Sequence, residues 1–228
     1  MPEELFDLSE EYQQMLDQGI SLSGESMFFF IEGRLNALRA HLPSQKKILN
    51  ILDFGCGIGH STSRLAELFP GASVTGADTS TNALEMAATR NGSESIRYLT
   101  IDRLSQDDRQ YDLCYVNGVF HHIPLNDRAT AIRLIFDRMA PQGLLYLFEN
   151  NPWNPGARLV MSRIPFDRDA VMLSPLETAA LMTAGGFQIA QTGSLFFFPR
   201  ALSFLRAAEP YLAWSRLGAQ YYVAGIKR

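Results

Sequence analysis

Residues 51–61 read ILDFGCGIGHS, a short apolar run that ends in three alternating glycines and then opens into a helical pattern. A buried strand leaving through such a turn belongs to an open α/β sheet, where the first strand-to-helix connection helps form the ligand crevice. Gly55, Gly57 and Gly59 allow a tight turn and let a ligand approach the backbone without side chains in the way. The spacing is Asp53-x-Gly55-x-Gly57-x-Gly59, with His60 where a dinucleotide fingerprint places its third glycine, and no G-x-x-x-x-G-K-[ST] phosphate loop occurs anywhere.

Working outward, the chain alternates between β-rich and helical segments. Strands are expected at 48–54, 73–78, 96–100, 112–117 and 144–149, with helices at 61–69, 81–90 and 126–139. Such alternation argues for a parallel sheet covered on both faces. Before it, Ser9 is placed to cap a short helix carrying Tyr12, Met15 and Leu16 on one face. A second helix has Phe28, Ile31, Leu35, Leu38 and Leu42 at spacings of three and four, ending at Pro43. After it, Ser174-Pro175-Leu176-Glu177 has the form of a capping box with proline in the first helical position, and Gly185-Gly186 marks that helix's end. Two last strands are expected at 187–192 and 220–227, separated by 27 residues rich in aromatic and apolar groups. The organisation expected is an N-terminal helical cap over residues 1–45 and one domain over 46–228, with insertions near 150–173 and 194–218.

Composition narrows the function classes. The 228 residues are 46% hydrophobic and 19% charged, with a net charge of −4 and no dense Lys/Arg run, so nucleic acid is an unexpected partner. Apolar clusters such as 27–31 and 195–198 fall well short of the roughly 20 residues a membrane span needs. The acidic opening MPEELFDLSEE is unlike a secretory leader, so a cytoplasmic location is expected. Cys56 and Cys114 make neither a disulfide framework nor a metal set, and no cluster of Cys, His and carboxylates has ligand spacing, so no metal is expected.

The strand ends carry further chemistry. Asp78 closes the second strand 23 residues past Gly55, where a carboxylate accepts from a ribose diol and repels a 2′-phosphate. Asp102 follows the third strand, and the fourth ends in Asn117-Gly118 and then Val119-Phe120-His121-His122.

Taken in order, ILDFGCGIGHS, VTGADTS, YDLCYVNGVFHHI and MAPQGLLYLFE resemble the class I S-adenosylmethionine-dependent methyltransferases over about residues 47–150. The resemblance implies a Rossmann-like, doubly wound α/β sheet of seven strands, with an antiparallel last strand inserted between the fifth and sixth. It implies S-adenosyl-L-methionine as cofactor. Asp53 and the loop Gly55, Cys56, Gly57 and Gly59 would meet its methionine part. Asp78 with Thr79 would meet the ribose, Asp102 with the Arg103 backbone the adenine, and Asn117 and Gly118 the methyl-bearing side. Two plainer readings stay open: Asp53 as a cap for the loop's N–H groups, and Asp102 as a solvated carboxylate.

Methyl transfer is an in-line displacement driven largely by positioning and desolvation, and a base is useful where the acceptor is a hydroxyl. His121 and His122 are the candidates. Neighbouring side chains point apart, so at most one is expected to face the acceptor. His122 is preferred because the resemblance often carries histidine there. The alternative is one ring packed under the next helix and the other solvated in a turn. Substrate walls are expected from Tyr12, Phe28, Glu149, Asn150, Asn151 and Trp153, whose character suits a small apolar or aromatic acceptor. O-methylation is the leading expectation, with N- or C-methylation open. The other readings are a catalytically silent cofactor-binding partner protein, a protein methyltransferase and, disfavoured by the glycine spacing, a nicotinamide oxidoreductase. A monomer and a homodimer are equally compatible with the sequence.

Overall fold

The computed structural model describes residues 19–43, 45–164, 167 and 170–228. The expected first helix with Tyr12 lies outside them. Strand β1 (Asn50–Phe54), helix α1 (Met27–His41) before it and α2 (His60–Leu68) after it begin the fold. It continues through β2 (Ser73–Asp78), α3 (Thr81–Asn91), β3 (Ile96–Thr100), α4 (Ile101–Ser105), β4 (Tyr111–Asn117), α5 (Arg128–Arg138) and β5 (Met139–Asn150). Helices α6 (Pro155–Arg163) and α7 (Pro175–Ala184), strand β6 (Gln188–Leu195), short helical turns over 200–215 and strand β7 (Gln220–Ile226) complete it.

The seven strands form one sheet in the order β3-β2-β1-β4-β5-β7-β6. The first five are parallel, and β7 runs antiparallel between β5 and β6. This is the expected Rossmann-like topology with the last strand inserted. Order reverses between β1 and β4, so the crevice at a switch point of this kind opens beyond Phe54 and Asn117.

Period-two alternation sorts the sheet into two cores. Leu113 and Tyr115 of β4 join Ile51, Val74, Tyr146 and Phe148 against Ile31, Leu35 and Leu38 of α1 and Leu65 of α2. On the other face, Cys114 and Val116 join Leu52, Leu145 and Leu147 against Leu104 of α4, Ile132 and Ile135 of α5 and Met182 of α7. Helix α1 therefore covers the sheet as well as flanking the crevice. Gly33 allows its close packing, since a Cβ there would lie 2.4 Å from the Phe196 ring.

Helix starts follow local chemistry. Ser174 and Glu177 form the expected capping box in both directions, with Pro175 in the first turn. Two short helices were not expected. The Thr100 side chain accepts from Arg103 N to start α4, and Asn154 Oδ1 accepts from Ala157 N to start α6, whose first residue is Pro155. Residues 155–158, read as spacer in the sequence, are thus the first turn of a helix. Among the described residues, no helix is long and apolar enough to cross a membrane.

Candidate active site

The glycine turn hangs from the ends of β1 and β2. Gly55 N and Cys56 N both donate to Ala77 O, at 2.7 and 3.1 Å, and Gly57 N donates to Asp78 Oδ2 at 2.8 Å. Gly55, Gly57 and Gly59 have φ of 75°, 51° and 82°, in the left-handed region that L side chains avoid. A Cβ added to Gly57 would meet nothing within 4 Å, so the outer side of this turn is open.

Three ionisable side chains surround the turn, Asp53 and Arg34 buried and Asp78 half-buried. Asp53 accepts from Thr62 Oγ1 at 2.6 Å, and burial lifts its carboxyl from 3.8 to about 7, with Asp78 adding to the rise while Thr62 and Arg34 oppose it. Burial also raises Asp78, against the hydrogen bonds it accepts from Ser80 N and Gly57 N. Arg34 on α1 is only 5% exposed and has no ion-pair partner within 4 Å among the described residues. Its Nε donates to Tyr115 Oη at 3.0 Å and its Nη1 to Gln220 Oε1 at 2.9 Å. Sequence reading missed Arg34, although a cation three residues after Ile31 and four before Leu38 falls on the buried stripe. Thr79 is exposed in the turn between Asp78 and the α3 cap Ser80. Asp102 and Arg103 lie exposed in the first turn of α4.

Next to this turn, a cavity of about 500 Å³ opens at the ends of β4 and β5. Asn117, Gly118, Asn150 and Arg34 line its inner end, and Phe29, Phe30 and 196–198 give it aromatic walls. Arg206 fastens the roof: it pairs with Glu25 at 2.8 Å, donates to Phe198 O and sits 4.4 Å over the Phe29 ring.

Beyond β4 the chain turns tightly, with His122 N donating to Val119 O and Ile123 N to Phe120 O. Phe120 is buried in the core and both histidines line the cavity, their ring centroids 4.1 Å apart. The expectation that neighbouring side chains diverge fails here because the segment is a turn, where the alternation of an extended strand does not apply. Glu149, buried in β5, accepts from Phe120 N at 2.7 Å and holds His121 Nδ1 at 2.5 Å. Asp167, beyond the end of α6, brings Oδ1 to 3.4 Å from His121 Nε2 and 3.2 Å from His122 Nε2. Burial disfavours a charged His121, yet the two carboxylates outweigh it and lift the ring to about 10. Glu149 and Asp167 thus both favour the protonated form of the His121 ring. Asp167, 45 residues past His122, was not singled out from the sequence. Nor is the absence of a metal-ligand cluster upheld: among the described residues, His121, His122 and Asp167 have their ligand atoms within 4.8 Å of one another.

The expected substrate wall is partly redrawn. Asn150 lines the cavity and accepts from Gln220 Nε2. Glu149 does not reach the cavity, being 1% exposed and engaged with the histidine turn. Asn151 is wholly buried, donating to Arg216 O and Gly218 O at 2.8 Å each, so it anchors a neighbouring loop. Trp153 is half exposed outside the cavity, since Pro152 and the turn into α6 carry it outward. Phe28 faces a separate depression beside His60, one helical position away from the cavity-lining Phe29.

Residues 52–145 match the family described as "Methyltransferase domain". Those residues carry a methyltransferase domain of the class I, S-adenosylmethionine-dependent kind. Curated relatives of this methyltransferase domain include trans-aconitate 2-methyltransferase of Methylobacterium radiotolerans, 38% identical over 109 residues, 47% of this chain and 40% of the relative. Malonyl-[acyl-carrier protein] O-methyltransferase of Bacillus anthracis is 33% identical over 104 residues, 45% and 38% of the two chains. The chain thus matches less than half the length of either. A solved methyltransferase of Thermotoga maritima, described as a possible histamine N-methyltransferase, shares the fold with a TM-score of 0.69 at 17% identity, covering 98% of this chain and 97% of that one.

Proposed function

We infer that the chain transfers a methyl group from S-adenosylmethionine to a heteroatom of a small apolar or planar acceptor, with oxygen favoured. The observation that carries this reading is that the cavity is lined by Asn117-Gly118 at the end of β4, the strand paired with β1, while the glycine turn that follows β1 lies against Val119 at Gly55. The residues fit the cofactor. The open side of Gly57 leaves room at the backbone, Asp78 is a half-buried acceptor at the ribose position, and Asp53 and Arg34 offer a carboxylate and a guanidinium to an amino-acid moiety. Asp102 with the Arg103 backbone is the reading for adenine.

When bound, the cofactor supplies a methyl group on a sulfonium, so the C–S bond breaks as the bond to the acceptor forms. The protein's part is to hold the acceptor in line and exclude water. Phe29, Phe30 and the aromatic residues at 196–198 suit an apolar body, and Asn150 supplies a polar anchor. His122, whose ring lines the cavity, is the candidate to take the proton the acceptor loses. Oxygen is favoured because the relative named for malonyl-[acyl-carrier protein] is an O-methyltransferase.

The test begins with ligand stabilisation. S-adenosylhomocysteine should raise the melting temperature and NAD should not, since only a ligand of the native state acts by mass action. Asp78→Ala should abolish that rise. Incubation with methyl-labelled cofactor and a metabolite extract should then label a small molecule. Normal cofactor binding by Asp78→Ala would refute the cofactor assignment, and label appearing only in protein would refute the acceptor class.

A further inference from the structure

We propose that His121, His122 and Asp167 form a divalent metal site at the wall of the cavity, with His121 Nε2, His122 Nε2 and Asp167 Oδ1 as ligands. The argument starts from distances. Metal bonds to imidazole nitrogen and carboxylate oxygen are about 2.0–2.2 Å, which places adjacent ligand atoms roughly 3.0–3.4 Å apart in octahedral or tetrahedral geometry. Asp167 Oδ1 stands 3.4 and 3.2 Å from the two ring nitrogens, longer than the roughly 2.7–2.9 Å of a charge-assisted hydrogen bond. That oxygen is buried and, among the described residues, no well-aligned hydrogen bond reaches it. A buried carboxylate oxygen held by two imidazole nitrogens at long ion-pair distance leaves room for a cation between them.

The surroundings favour the same reading. Glu149 holds His121 Nδ1 at 2.5 Å, the outer carboxylate that orients most metal-bound imidazoles. A divalent cation would displace the Nε2 proton of His121; the two imidazoles with the Glu149 and Asp167 carboxylates then sum to a charge of −2, which the cation neutralises. Two histidines and one carboxylate suit zinc, iron(II), cobalt or manganese better than calcium or magnesium. All three ligand residues line the cavity, so the remaining coordination positions face an incoming acceptor. An ion there would lower the pKa of a bound hydroxyl or water by Lewis acidity, and His122, its Nε2 occupied, would no longer be the proton acceptor. The inference rests on the cluster's geometry and not on methyl transfer.

Binding is the readout. The full chain, dialysed against a chelator, is titrated with zinc by calorimetry and with cobalt by visible absorption. A Cys56→Ser variant serves as a control against thiolate ligation. One equivalent of zinc should bind, and the cobalt form should show d–d bands in wild type and in Cys56→Ser alike. Asp167→Asn and His122→Ala should each weaken binding at least 100-fold. Glu149→Gln, which keeps the ligands and the shape, should weaken it roughly 10- to 100-fold. Absence of stoichiometric binding by the wild type, or unchanged binding by folded Asp167→Asn and His122→Ala, would overturn the site. Cobalt binding without any stabilisation by S-adenosylhomocysteine would leave this site standing and refute the functional reading instead.

Discussion

Replacing Asp53 by asparagine should flatten the pH dependence of stability. Asp53 is 2% exposed at the end of β1, and its carboxyl is raised from 3.8 to about 7, chiefly by burial. Because the folded-state value lies above the unfolded one, the fold favours the protonated acid. That contribution is fully present below about pH 4 and is lost as pH rises through about 7. At 1.36 kcal/mol per pH unit, the difference comes to roughly 4 kcal/mol. Asparagine keeps the shape and an oxygen for Thr62 Oγ1, and it removes the titration. Urea unfolding of both proteins at several pH values between about 4 and 8 measures the effect. The wild type should lose up to about 4 kcal/mol relative to the variant across that range, and Asp78, also raised, should leave a residual slope in both. Parallel curves for the two proteins would show that Asp53 does not enter the fold as a protonated acid, and the reasoning would fail.

Three further outcomes are expected. Gly57→Ala should cost about 1–2 kcal/mol for left-handed backbone, yet weaken S-adenosylhomocysteine binding far more, because its methyl group would occupy the open side of the turn; calorimetry beside urea unfolding separates the two. Asn151→Ala should destabilise by about 1–3 kcal/mol and speed hydrogen exchange in residues 216–219, where two carbonyls and the Ala219 carbonyl's bond to Asn151 N depend on this residue's position. Leu38→Ala should cost about 2–5 kcal/mol in a single unfolding transition, since Leu38 is wholly buried against the sheet; a separate early transition would instead mark residues 19–43 as an independent cap.

Local chemistry was legible where one segment determines its own shape. The glycine turn, the alternation of β1, β2 and β4, and the Ser174–Glu177 box each bind mainly to themselves or to a sheet whose topology the pattern implies. The site's far side is different in kind. Whether Glu149 faces ligand or core depends on the parity of β5 beneath the turn it holds, and adjacency to Asn150 says nothing of that. His121 and His122 converge because Gly118, with φ of 66°, breaks the strand and Phe120 anchors a turn, which no period reveals. Asp167 meets them near Val171, whose N donates to His121 O and whose O accepts from Arg128, contacts between segments far apart in sequence.

The charges around the glycine turn bear on which ligand it suits. Two carboxylates there, Asp53 and Asp78, are raised by burial, so the fold supplies them with too little positive charge, while Arg34 is buried with no anion within ion-pair distance among the described residues. These are opposite deficits in one region, since Arg34 acts on Asp53 through its charge and still does not restore it. A neutral nucleoside would offer hydroxyls to Asp78 and leave the other two unanswered. A zwitterionic amino acid joined to that nucleoside supplies an ammonium for Asp53 and a carboxylate for Arg34. Each charge-assisted hydrogen bond contributes about 1.5–3 kcal/mol, so removing two of them should weaken binding by roughly 100-fold or more. Methylthioadenosine, which keeps the adenosine and sulfur and lacks the amino acid, should therefore bind at least that much more weakly than S-adenosylhomocysteine by calorimetry. The gap should shrink for Arg34→Met, which retains the length of the side chain and removes its charge. Equal affinities for the two ligands in the wild type would mean that Asp53 and Arg34 meet no ligand, and that their burial serves the fold alone.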